Sequence, residues 1–190
     1  MKVGLFFGSF NPIHIGHLII ANFFVEHTEL EKVCFVLSPQ NPLKRKKNLL
    51  NEYDRLDLIR AAIADNPQLE VSDIEFHLPR PSYTIHTLLH LKEKNPHSTY
   101  SLIMGSDNVN TLKKWKNFEE IINNYSIYAY ARPEYPIKNM DDFEKIKLYK
   151  APLMQISASF IRKCIQQNKS IKYLVPEEVA TLIEKWGYYE

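Results

Sequence analysis

Two histidines three residues apart, His14 and His17, follow the cluster Gly8-Ser9-Phe10-Asn11-Pro12 near the start of the chain. If a helix begins near Pro12 or Ile13, both rings lie on one face, close to the positive end of the helix dipole. Imidazoles beside the free amides of a helix start suit chemistry on a phosphoryl group. A second set lies far along the chain. Ser157 and Ser159 offer hydroxyls at a predicted helix start, and Arg162 falls on the same side of the first turn as Ser159. Each set has a plainer reading. Paired histidines also occur as hydrogen-bonded neighbours or as metal ligands, and the serine–arginine segment alone is a capped helix with a surface arginine. A strand, a glycine loop and two histidines in succession favour the phosphate site.

The surrounding pattern supplies elements to position these groups. Val3 to Phe7 reads as a buried strand, and His14-Ile15-Gly16-His17 opens an apolar helical segment through Ile20 and Phe24. Lys32 to Ser38 is a second strand. It runs into Ser38-Pro39-Gln40-Asn41-Pro42, Leu43 and the basic run Lys44-Arg45-Lys46-Lys47, of which Lys44 lies nearest the strand end and is the candidate for a phosphate contact. Asn51 caps a helix that Asn66-Pro67 stops. Leu69 to Phe76 alternates as a strand, and a helix opens at Ser82-Tyr83-Thr84 and ends at Asn95-Pro96. Tyr100 to Met104 is a strand entering Gly105-Ser106-Asp107. Short helical stretches follow at Lys113–Lys116 and Phe118–Asn123, then a strand at Tyr125–Ala131. The stretch 134–150 is charged and takes no clear pattern. Leu153 to Ile156 reads as a last strand, and helices open at Ser157 and at Pro176, the latter with Val179, Leu182, Ile183 and Trp186 on one face. Strands and helices alternate, so the expected fold is α/β with a doubly wound parallel sheet. Residues 1–190 form one domain, with 156–190 as a small C-terminal helical subdomain.

The segment Gly8-Ser9-Phe10-Asn11-Pro12-Ile13-His14-Ile15-Gly16-His17 resembles the signature of the nucleotidyltransferase superfamily, which includes bacterial adenylyltransferases and class I aminoacyl-tRNA synthetases. Asn41-Pro42-Leu43-Lys44, Ser82-Tyr83-Thr84-x-x-Thr87-Leu88, Gly105-x-Asp107, Trp115, Arg132-Pro133 and Ile156-Ser157-Ala158-Ser159-Phe160-Ile161-Arg162 are similar, in order and spacing, to the nicotinate-nucleotide adenylyltransferase family. The resemblance implies a Rossmann-like transferase that joins the AMP of ATP to nicotinate mononucleotide in NAD synthesis. It implies an ATP site of Gly8, Ser9, Phe10, His14, His17, Ser157, Ser159 and Arg162, with His14, His17 and Arg162 catalytic. It implies a nicotinate-nucleotide site of Lys44, Thr84, Asp107, Trp115 and Arg132, with Trp115 stacked on the pyridine ring and Thr84 beside its carboxylate. The chain departs from the pattern at Phe7, where a second glycine is common, at Asn11, where an aspartate is usual, at Leu43, where a histidine is usual, and at His86, where an aspartate is common. At Ala158 and Ser159 one hydroxyl of the serine-rich segment is missing. Without a ligand, Trp115 reads as an aromatic covering the sheet end, Asp107 as a cap and Thr84 as a first-turn residue.

Composition sets the outer bounds. The chain has 190 residues, 45% hydrophobic and 24% charged, with a net charge of +2. That is ordinary for a globular domain and argues against a large nucleic-acid footprint. Cys34 and Cys164 sit in apolar patterns without metal or redox spacing. No run reaches the roughly 20 apolar residues of a membrane span, and with two scattered thiols a reducing cytoplasm is the expected setting. No dedicated protein metal site is expected; Mg2+ is expected to come with ATP, since no carboxylate cage is visible. The expected partners are ATP and nicotinate mononucleotide, with neither nucleic acid nor membrane, and self-association stays open. The rival readings are a sibling adenylyltransferase acting on nicotinamide mononucleotide or phosphopantetheine, a synthetase fragment, a nucleic-acid binder with a basic loop, and a non-catalytic nucleotide-binding regulatory module.

Overall fold

Side chains that alternate along six parallel strands sort the core into two layers, one on each face of the sheet. The structure, a computed structural model, describes residues 1–39, 49–137 and 145–190. Its strands are β1 (Lys2–Gly8), β2 (Lys32–Leu37), β3 (Leu69–Ser72), β4 (Thr99–Gly105), β5 (Ser126–Tyr130) and β6 (Ile146–Tyr149), in the order β3-β2-β1-β4-β5-β6. Every pairing is parallel. The helices are α1 (Ile15–His27), α2 (Glu52–Ala62), α3 (Thr84–Lys94), α4 (Ser106–Val109), α5 (Phe118–Asn124), α6 (Ala158–Gln166) and α7 (Glu177–Trp186).

Phe6, Phe35, Leu37, Ile103 and Tyr128 point to one face, where α1, α2 and α7 pack through Phe24, Ile59 and Ile183. Leu5, Cys34, Val36, Leu102 and Ile127 point to the other, beneath Ile85 and Leu88 of α3 and Ile121 of α5. A strand buried on both faces reads as a continuous apolar run, which is why β1, β2 and β4 were legible. Ile161, Val179 and Ile183 from the C-terminal helices join the same core layer as the sheet. The strand order reverses direction between β1 and β4, and the loops leaving their carboxyl ends border the crevice at that switch point.

Four local expectations are corrected. The last strand is β6 at Ile146–Tyr149, inside the stretch that showed no pattern, and residues 150–157 form no strand. Pro152 lacks the N–H that a ladder needs, whereas Ile146 points inward and Lys147 outward beside β5. The third strand ends at Ser72, and Ile74–His77 is a 3-10 turn. Helix α1 starts at Ile15, with His14 as its cap, rather than near Pro12. Trp186 is 60% exposed, apart from the buried Val179 and Ile183. Both cysteines are buried, and burial pushes the Cys34 thiol up to about 12, so it stays protonated and inert.

Candidate active site

The loop after β1 is shaped by aromatic packing. Phe10 adopts a positive φ of 41° and buries its ring against Phe6, Phe35 and His17, so only its backbone can face a ligand. Gly8 lies directly over that ring: a Cβ there would sit 2.7 Å from Phe10 Cζ. Asn11 is buried, and its Oδ1 accepts the Leu50 N–H at 3.1 Å. At this position the carboxamide oxygen therefore ties the first loop to the entry of α2.

His14 and His17 stack, with centroids 3.7 Å apart and planes 25° from parallel. The His14 backbone N–H donates to His17 Nδ1 at 3.3 Å. That fixes the neutral tautomer of His17, whose Nε2 must carry the proton and serve as a donor. His14 is buried over Gly16, where a Cβ would meet its ring at 3.1 Å. Its Nδ1 has no hydrogen-bond partner among the described residues, and burial lowers its pKa to about 4, so the ring is neutral at pH 7. Among the first amides of α1, Ile15 donates to Leu174 O and His17 and Leu18 donate to His14 O. The Gly16 amide is left without an acceptor among the described residues. The free helix start expected from the sequence thus narrows to one amide and two rings.

Arg162 joins the second set to the first. Its Nη1 donates to Asn11 O at 2.6 Å and its Nη2 to Ser159 Oγ at 3.2 Å. Ser157 caps α6 by accepting the Phe160 N–H. Its hydroxyl proton remains free to donate.

Just past the ends of β4 and β5, Arg132 Nη1 and Asp107 Oδ2 form an ion pair at 3.1 Å, and the Arg132 N–H donates to Ser106 Oγ. Asp107 Oδ1 is buried and has no hydrogen-bond partner among the described residues. Gly105 makes room for this pair, since a Cβ there would lie 2.4 Å from Asp107 Oδ1. Trp115 and Tyr83 are half-buried against the α3 face of the core, and Lys116 Nζ lies 4.6 Å from the Tyr83 ring centroid. Thr84 is the first residue of α3. Because the strands are parallel, Gly8, Gly105 and Arg132 share the carboxyl edge of the sheet. Lys44 and Leu43 lie outside the described residues.

Sequence reasoning missed two buried charges. Arg55 is fully buried in α2. Its Nε donates to Leu50 O, its Nη1 to Ser9 O and Ser38 O, and its Nη2 to Pro39 O, at 2.6 to 3.0 Å. It staples the ends of β1 and β2 to the start of α2. Its signal was a register match: Arg55 is in helical phase with Ile59 and Ala62, both buried. Glu75 is buried in the 3-10 turn and accepts hydrogen bonds from Ser82 and Thr87. Read as a strand, its segment put it in phase with Leu69 and Val71, which was a faint hint of burial.

Comparison with known proteins gives the family and the fold. The cytidylyltransferase-like family matches residues 5–164. A Cytophaga hutchinsonii protein named as a probable nicotinate-nucleotide adenylyltransferase is 50% identical over 189 residues, spanning 100% of this chain and 98% of its own. A Flavobacterium psychrophilum protein of the same name is 48% identical, with both chains covered completely. Among solved structures, the Plasmodium falciparum nicotinic acid mononucleotide adenylyltransferase complexed with NaAD superposes with a TM-score of 0.84. The match covers 99% of this chain and 97% of that one at 20% identity, and it shows the fold. End-to-end identity of this degree, on a sheet whose switch point gathers the paired histidines and Arg162, means that the chain belongs to the cytidylyltransferase-like family and, within it, to the nicotinate-nucleotide adenylyltransferases.

Proposed function

We propose that the protein transfers the AMP moiety of ATP to nicotinate mononucleotide, forming nicotinate adenine dinucleotide and pyrophosphate in NAD synthesis. The observation that carries this reading is the stacked His14–His17 pair, linked through the Asn11 carbonyl to Arg162. Two segments 151 residues apart converge there on donors suited to a polyphosphate. The relatives' names support the choice of acceptor.

A phosphate oxygen of the mononucleotide, anionic at neutral pH, bonds to the α-phosphorus of ATP. The bond from that phosphorus to the bridging oxygen breaks, and its electron pair leaves with pyrophosphate. No general base is required, so the protein acts by alignment and charge stabilisation. His17 donates from Nε2 where charge develops. His14 donates as a neutral ring. Arg162 supplies a permanent charge already oriented by Asn11 and Ser159, so little reorganisation is needed during reaction. Gly8, Ser9, Phe10, Ser157 and Ser159 complete the ATP site through backbone and hydroxyl groups. Thr84, Asp107, Trp115 and Arg132, with Lys44, are assigned to the pyridine nucleotide. The side chains assigned to ATP are imidazoles, a guanidinium and serine hydroxyls with no carboxylate among them, whereas magnesium is held by carboxylates and phosphate oxygens. Magnesium is accordingly read as entering on the phosphates of ATP, as part of the substrate.

Pyrophosphate release from ATP and magnesium, measured in parallel with nicotinate mononucleotide, nicotinamide mononucleotide and phosphopantetheine, tests the reading. Strong preference for the nicotinate nucleotide is expected. Preference for the amide would retain the chemistry and refute the carboxylate pocket; silence with all three would refute the reaction.

A further inference from the structure

We infer that Asn11 is a positioning residue for the polyphosphate end of the site: its side chain, held by the Leu50 amide, fixes the carbonyl that aims Arg162. This role rests on the reaction proposed above and deepens it, by naming what sets the permanent charge of the site in place.

Asn11 is 8% exposed, in the loop between β1 and α1. Asparagines in turns commonly bond their own backbone a residue or two away. This one reaches across the fold. Its Oδ1 accepts the N–H of Leu50, 39 residues along the chain, at 3.1 Å. The Leu50 carbonyl in turn accepts from Arg55 Nε at 2.9 Å. Arg55 Nη1 donates to Ser9 O, just ahead of Asn11 in the same loop, at 2.6 Å. A fully buried guanidinium thus braces the loop directly at Ser9 and, through Leu50, at Asn11.

What this bracing holds still is the Asn11 carbonyl, which accepts from Arg162 Nη1 at 2.6 Å. The other tie of Arg162, to Ser159 Oγ, lies within its own helix turn and moves with α6. Among the described residues Arg162 meets no carboxylate. The Asn11 carbonyl is therefore the hydrogen bond that registers Arg162 against the histidine loop, and as a neutral acceptor it leaves the charge uncancelled. Registration matters because a misplacement of about 1 Å in a positioning group can cost on the order of 100-fold in rate. The bond from Leu50 needs a lone pair and not a charge, so Asn can stand where an aspartate is usual.

The test measures kinetics and equilibrium ATP binding of the purified full chain with magnesium. Asn11→Ala should raise the KM and the Kd for ATP about tenfold, while KM for nicotinate mononucleotide stays within about twofold. Asn11→Asp, which keeps the acceptor, should remain within about threefold of the unmodified protein. In an Arg162→Ala background, adding Asn11→Ala should weaken ATP by less than about twofold, because no guanidinium is left to aim. A merely structural role would make the two changes multiply, raise both KM values together or lower only the melting temperature, and each of these results overturns the proposal. So does an Asp variant no better than Ala. If Asn11→Ala fails to fold, Asn11→Ser, whose hydroxyl is one bond shorter, takes its place, and an unchanged Kd for ATP in it refutes the idea. If the unmodified protein releases no pyrophosphate with any acceptor, the proposed reaction fails. ATP binding needs no acceptor and still decides the role of Asn11: the same loss and the same non-additivity with Arg162→Ala uphold it, and additive losses or no ATP binding at all overturn it.

Discussion

The two edges of one parallel sheet treat their cations in opposite ways. At the amino edge, Glu29 accepts from Lys2 Nζ, from Lys147 Nζ at 3.0 Å and from the Tyr128 hydroxyl at 2.9 Å. Charge there is closed on itself. At the carboxyl edge, Arg55 is held by four backbone carbonyls and Arg162 by a carbonyl and a serine hydroxyl. Neutral acceptors orient a guanidinium without cancelling it, so positive potential remains where phosphates are to bind. Arg132, paired with Asp107, is the exception at this edge. One edge cancels its charges between side chains, and the other leaves its guanidinium charges uncancelled beside the proposed phosphate site.

The largest expected effect breaks the carboxyl edge at its reacting centre. His17→Ala should lower kcat about 100- to 1000-fold, the usual range for one lost transition-state donor. The ring is only half-buried, so the melting temperature should move by no more than a few degrees. Steady-state pyrophosphate release and a thermal melt on the same preparation decide it. Near-normal turnover would remove His17 from the centre of the site.

Next comes Arg55→Met, which keeps the bulk but leaves the carbonyls of Ser9, Leu50, Ser38 and Pro39 without their donor. Breaking such a buried network should cost about 3–5 kcal/mol in urea unfolding. Arg55→Lys should fall between, because an ammonium keeps the charge but not the planar fork. Equal stability of all three proteins would show that the clamp is not what joins β1, β2 and α2.

Why Arg55 escaped the sequence reading bears on this difference. The motif residues His14, His17, Ser159 and Arg162 interact within one turn of helix, so spacing alone exposed two of their contacts. Arg55 acts on Ser9, 46 residues away, and Asp107 meets Arg132 across 25 residues. Such partners follow from topology, not from local pattern. The sheet shows the same divide. Strands β1, β2 and β4 are apolar on both faces and could be read directly. β6 is a short edge strand with an outward lysine amid charged residues, and only its pairing with β5 defines it. Loop geometry was half legible: glycines and prolines marked the turn after β1, but the positive φ at Phe10 arises from ring packing that no spacing rule encodes.

A smaller effect sharpens the contrast through pH. Burial lowers the His14 pKa from 6.5 to about 4. The unfolded chain takes up a proton near pH 6.5, whereas the folded protein does so only near pH 4. Stability from this group is therefore intact above pH 6.5 and is lost as pH falls toward 4. The loss between pH 7 and pH 4 amounts to about 3 kcal/mol. His14→Gln should abolish that pH dependence, so the stability difference between the two proteins in urea unfolding should shift by about 3 kcal/mol in the variant's favour from pH 7 to pH 4. A constant difference across that range would place His14 in a wetter setting than its burial implies.

The smallest effect belongs to the amino edge. Hydrogen bonds from Lys2, then Lys147 and Tyr128, lower the Glu29 pKa from 4.5 to about 2. The sign is that of a carboxylate: its contribution is present above pH 4.5 and lost as pH falls toward 2. Its side chain is 48% exposed, so solvent and salt screen the network, and exposed pairs stabilise little. Glu29→Gln should shift the melting temperature at pH 7 by about 2 °C or less, a difference that fades as pH approaches 2. Pyrophosphate release should be unchanged, because the whole sheet separates Glu29 from the carboxyl-edge loops. A fall in turnover without loss of stability would mean that charge at the closed edge reaches the reacting one, and the division of labour between the edges would have to be abandoned.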